Sequence, residues 1–162
     1  MRKRHVLLAL TLGLIGAWNA AGFAVATDPV LVSSKSIASG NLDPVNFVIK
    51  NEGWMAQLRT KGATDVAVVE NTVEPGGSFG WHSHPGPSLI IVKEGEITFY
   101  RADDPTCTPQ IHRAGDAFID EGTGVHVGIN RGSVNLVVIV TRLLPDGAKA
   151  RNDAPDPGIC GV

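Results

Sequence analysis

The chain has 162 residues, 43% hydrophobic and 19% charged, with 14 basic against 16 acidic side chains. That length suits one domain with a genuine core and requires no second. The slightly acidic balance supplies no basic patch to neutralise phosphates, so nucleic acid is excluded as an expected partner.

At the N-terminus, Arg2, Lys3 and Arg4 precede an apolar stretch from Val6 to Trp18 that ends in small residues. A membrane span needs about 20 apolar residues, so this stretch is short, and Ala24-Val25-Ala26 gives the small-x-small pattern of a cleavage site. Residues 1–26 are therefore predicted to be a secretory signal peptide cut after Ala26. Phe23 and Val25 prolong the apolar character, and the alternative is a retained anchor. Either way the working domain lies outside the cytoplasm, in the periplasm or secreted, and the cleaved form has no membrane contact. Without its three leader cations the chain carries 11 basic residues against 16 acidic ones, a net charge of about −5.

Residues 27–43 contain Ser and Ala with little periodicity, and are expected as an N-terminal extension on the surface or as an edge strand. From Pro44 onward, short β-rich runs alternate with Gly, Pro, Asn and Asp, which predicts an all-β domain over 44–144. Strands are expected at 46–50, 55–60, 65–73, 79–84, 88–93, 96–101, 110–113, 117–120, 125–130 and 134–143. Such close spacing suggests a sandwich or barrel. Glu94-Gly95 and Asn130 to Ser133 read as hairpin turns, since Gly supplies positive φ. The Pro- and Gly-rich tail, 145–162, is expected to be irregular and held mainly by Cys160. An exported protein meets an oxidising compartment, so Cys107 and Cys160 are expected to form a disulfide. It would close a loop of roughly 50 residues and add about 3 to 4 kcal/mol.

His82 and His84 stand two apart on a predicted strand, so both side chains share one face. Imidazoles on the inner face of a barrel can reach one metal ion. By itself this pair reads equally well as a polar turn that happens to contain two histidines.

The surrounding spacing resembles the two motifs of the cupin family. In GGSFGWHSHPGPSLIIVKEG, Gly76, His82, His84 and Gly95 fit the first motif. In GDAFIDEGTGVHVGIN, Gly115, His126 and Asn130 fit the second, whereas Glu121 stands at the family's proline and Thr123 at its glycine. The likeness spans roughly Thr60 to Leu144. It implies a double-stranded β-helix, a cupin jelly-roll barrel, with one divalent metal ion on His82, His84 and His126.

The departure is Ser88, which stands where the family has a liganding glutamate. A hydroxyl is a poor ligand for a hard dication, so that role is not carried over. Three neutral imidazoles would leave the ion's double charge uncompensated and favour an anionic or chelating small-molecule ligand. Such a set resembles the three-histidine iron sites of some cupin dioxygenases. It equally suits a tetrahedral zinc ion with an acidified water, so iron(II) and zinc are both expected candidates.

Three residues are weaker candidates for contact with substrate or with the ligands. Ser88 shares the parity of the histidines and could contact substrate, or be a small core serine. His112 could support a ligand, or be a partly exposed strand residue. Glu121 could act as acid or base, or be a solvated turn residue. Phe79, Trp81, Phe99 and Phe118 are expected in core or rim packing. Two functions follow: an exported metal-dependent dioxygenase or related oxidoreductase, or a cupin that binds a small molecule or metal without turning it over. No general acid or base is evident beside the histidines, and a homodimer through edge strands is an open possibility.

Overall fold

The computed structural model describes residues 25–162. The expected signal peptide therefore lies, apart from Val25 and Ala26, outside the described residues. These form twelve strands: β1 (Val30–Leu42), β2 (Asn46–Asn51), β3 (Trp54–Arg59), β4 (Thr64–Ser78), β5 (His82–Ser83), β6 (Ser88–Glu94), β7 (Glu96–Arg101), β8 (Gln110–Arg113), β9 (Ala117–Asp120), β10 (His126–Ile129), β11 (Leu136–Pro145) and β12 (Asn152–Asp153). There is no helix among the described residues, and so none long and apolar enough to cross a membrane.

Ten strands fold into an antiparallel barrel with two walls. One wall runs β1-β4-β11-β6-β9 and the other β12-β5-β10-β7-β8, and they join where Ile129 pairs with Ser78. β2 and β3 pair only with each other, as a separate hairpin. Residues 30–42 are not loosely held. β1 follows β4 from Val30↔Ser78 to Leu42↔Thr64, which realises the edge-strand alternative of the sequence reading.

The two expected hairpins are corrected. β6 pairs with β11 and β9, whereas β7 pairs with β10 and β8, so Glu94-Gly95 is a corner between walls. Gly95 has φ 72°, and a Cβ there would sit 2.5 Å from the Asn135 carbonyl oxygen, so the crossing requires glycine. Asn130 to Ser133 likewise carries the chain between walls, from β10 to β11. The fully buried Asn130 braces that corner: its amide donates to the Val73 and Val134 carbonyls, both at 2.8 Å, and its side-chain oxygen accepts from Gly132 N.

Period-2 alternation fills the interior. Along β6, Ser88 and Val92 are buried while Leu89 and Ile91 face outward. Val73, Val92, Ile97, Leu136, Val138 and Val140 form the apolar core at one end. The same inward rows continue to the other end as Asn71, Ser88, Asp120 and Arg142, and register ties them together: Arg142 pairs with Ser88, and Ser88 with Asp120.

The tail is less irregular than expected. β12 pairs with β5, Ala154 N donates to the Trp81 carbonyl, and Thr27 N donates to the Ala154 carbonyl. Cys107 and Cys160 are joined, with Cα atoms 5.3 Å apart and a sequence separation of 53. The disulfide thus ties the tail, as expected, but strand pairing across the barrel mouth holds it too.

Candidate metal centre

His82 lies on β5, His84 follows it, and His126 on β10 pairs directly with His82. All three are buried, and one nitrogen from each lies within 4.8 Å of those of the other two. Each Nδ1 faces a backbone carbonyl: Gly80 at 2.8 Å for His82, Ala150 at 2.6 Å for His84 and Gly124 at 2.8 Å for His126. A carbonyl can only accept, so each Nδ1 carries the proton and donates. In a neutral ring that leaves the Nε2 lone pair for the interior. The rings are also packed edge to face, with His82 4.8 Å from His84 and 4.4 Å from His126 between centroids, and His126 stacks on Phe99 at 4.9 Å.

Burial disfavours the charged form of these rings. It pushes the His82 pKa down from 6.5 to about 2, with His126 and Arg151 adding positive charge nearby. His84 and His126 are lowered as well, chiefly by burial, although Asp120 acts in the opposite sense on both.

Asp120 is the residue beside the histidines that sequence reasoning missed. It ends β9, is buried, and its Oδ2 stands 3.5 Å from Nε2 of both His84 and His126. Its Oδ1 accepts from Gly122 N at 2.9 Å, while Oδ2 has no hydrogen-bond partner. Gly122 has φ 95°, its carbonyl accepts from His84 N at 2.7 Å, and a Cβ there would meet the Gly86 oxygen at 2.2 Å. One glycine thus positions both Asp120 and His84. The expected absence of an acid or base beside the histidines is corrected, because the carboxylate comes from the strand beside Ser88.

The site opens into a cavity of about 40 Å³. A water needs on the order of 10–15 Å³ by this measure, so the space takes a ligand of only a few heavy atoms. Its lining includes Ser88, Asp120, Arg142, Phe79 and Phe99. Ser88 Oγ and Arg142 Nε are buried without partners. Burial, then the Arg151 guanidinium, pushes the Arg142 pKa down.

Of the three accompanying candidates, only Ser88 reaches the cavity. His112 stacks on Phe118 at 4.0 Å and is not among the lining residues, and Glu121 is solvent-exposed. Glu121 thus takes its plain alternative, a solvated turn residue, while its neighbour Asp120 points inward. Trp81 is fully buried, and Phe79 and Phe99 form apolar walls beside the histidines.

The donor set fits a cation. Three ring nitrogens lie together in a buried space, and an unpartnered carboxylate oxygen stands 3.5 Å from two of them, which is unfavourable unless positive charge lies between them. Imidazole with carboxylate is a set that suits zinc, iron and manganese.

The family model described as Cupin domain matches residues 69–142, which hold both histidine motifs. No curated protein matches the chain. Among solved structures, a cupin superfamily protein from Desulfitobacterium hafniense is similar at 14% identity and TM-score 0.49, over 74% of this chain and 84% of that one. A conserved protein with a double-stranded β-helix domain from Klebsiella pneumoniae is similar at 23% identity and TM-score 0.47, over 70% and 86%. The polyketide cyclase RemF from Streptomyces resistomycificus is similar at 17% identity and TM-score 0.48, over 59% and 64%. The two-walled barrel carries the family's glycine and histidine spacing on the strands that the family model covers, and residues 69–142 are a cupin domain.

Proposed function

We propose that the protein is an exported, metal-dependent cupin enzyme, an oxidoreductase of the dioxygenase kind, acting on a small anionic molecule. The observation that carries this reading is the convergence of three Nε2 atoms whose Nδ1 protons are all committed to backbone carbonyls. Such outer hydrogen bonds fix tautomer and ring orientation and raise ligand basicity. The disulfide supports export, because such bonds persist in oxidising compartments.

His82, His84 and His126 would hold the ion, iron(II) or zinc. When bound, it supplies Lewis acidity and, if iron, electron transfer to oxygen. The chain's own residues select and enclose the substrate. Arg142 offers a buried guanidinium for a carboxylate or similar anion, and Ser88 offers a hydroxyl beside it. Phe79, Phe99, Ile90 and Val140 give the cavity its apolar lining. The backbone of 150–153 is held beside His82 and His84 by strand pairing and by the Ala150 carbonyl.

Metal content per chain, measured in the purified protein and in His82→Ala/His126→Ala, tests the site. Near-stoichiometric metal is expected in the parent and almost none in the variant. Oxygen uptake with short-chain hydroxy or oxo acids in the iron-loaded parent then tests the chemistry. The narrow, strapped cavity favours a second reading, capture of a small anion without turnover. Stable retention of such an acid with no product would establish that reading over the enzymatic one.

A further inference from the structure

Resting on the metal reading above, we infer that Asp120 is a fourth metal ligand, taking over from a neighbouring strand the place that Ser88 leaves without a carboxylate. Ser88 and Asp120 are direct partners in the β6–β9 ladder, so both belong to the same inward row. At position 88 the side chain is too short to reach the histidines. Its Oγ is buried and unpartnered, which leaves space beside it for the carboxylate of its partner. A glutamate at 88 together with Asp120 would put two carboxylates in one small space, where like charges oppose each other. The serine and the aspartate therefore form one compensated pair.

The carboxylate is aimed by its own bonds. Gly122 N holds Oδ1, and Oδ2 is turned toward Nε2 of His84 and His126 at 3.5 Å each. These are acceptor atoms, since the Nδ1 protons of both rings are already used, so no hydrogen bond accounts for the approach. Ligands about 2.1 Å from a common tetrahedral ion stand about 3.4 Å apart, close to the separation found. The aspartate also restores the single negative charge that the sequence alone suggested was missing, so a loaded dication would keep one net positive charge. With Arg142 in the lining, the site still attracts an anion.

The test is cobalt(II) binding to the full mature chain, followed by visible absorption and by competition with a chelator. It uses the parent, Asp120→Asn, and Asp120→Asn/Ser88→Glu, with folding checked by thermal melting. Asp120→Asn is expected to lose on the order of 100-fold in cobalt affinity and to change the ligand-field spectrum. Adding Ser88→Glu is expected to recover most of the loss. In the parent alone, cobalt loading is expected to shift a carboxylate stretch in the infrared difference spectrum, a readout that stands even if the variants fold poorly. Cobalt binding by the parent with an unchanged spectrum in Asp120→Asn, or no infrared shift, overturns the ligand role and leaves the histidine site intact. Failure of the parent to bind any cobalt would instead overturn the metal reading itself.

Discussion

The two ends of the barrel are built on the same strands and the same inward rows, yet they do opposite things. At one end Val73, Val92, Leu136 and Val138 close the interior with side chains that need no partners. At the other, Asp120, Ser88 and Arg142 leave polar atoms without partners around a cavity that His82, His84 and His126 also line. A buried apolar side chain contributes about 1.5–3 kcal/mol to folding, whereas an unsatisfied buried polar group costs about 1–3 kcal/mol. The difference teaches that the apolar end stabilises a polar end that is strained until it is filled.

The largest break in that comparison is expected from Leu136→Ala, which empties space at the apolar end. It should cost about 3 kcal/mol in denaturant unfolding, while metal stoichiometry in the folded protein stays as in the parent. Loss of metal alongside stability would show that the two ends are not separable. Acidification acts on the other end. The folded-state values of His82, His84 and His126 are depressed, so below about pH 6.5 the unfolded chain takes up protons that the fold excludes. Stability of the metal-free protein should be level above that value and fall steadily below it, with a shallower fall in His82→Ala. The smallest effect on the metal end itself is expected from Cys107→Ser with Cys160→Ser. Releasing the tail loosens the Ala150 carbonyl that orients His84, and metal affinity should drop about 10-fold. Equal affinity with and without the bond would mean that β12 alone holds the mouth.

Much of the barrel could be read beforehand, because alternation is local: the run from Ser88 to Lys93 shows its inward and outward residues directly. His82 and His84 were legible for the same reason, through their parity, whereas His126 was found through the resemblance of residues 115–130 to the second cupin motif. Corners were misread because positive φ at Gly95 serves a crossing between walls as well as a hairpin. Asp120 was hidden because its meaning depends on the register Ser88↔Asp120, which arises from pairing between strands about 30 residues apart in sequence. Likewise, nothing in the tail's Pro-rich composition announced that the Ala150 carbonyl would meet His84, a contact set by long-range docking.

That last contact orders events in time. The carbonyl that fixes His84 belongs to a segment near the end of the chain, and a bond to Cys160 fastens that segment. Strands β1 to β11 precede residues 150–153 in the chain, so His84 takes its final orientation only once this later segment has docked on β5.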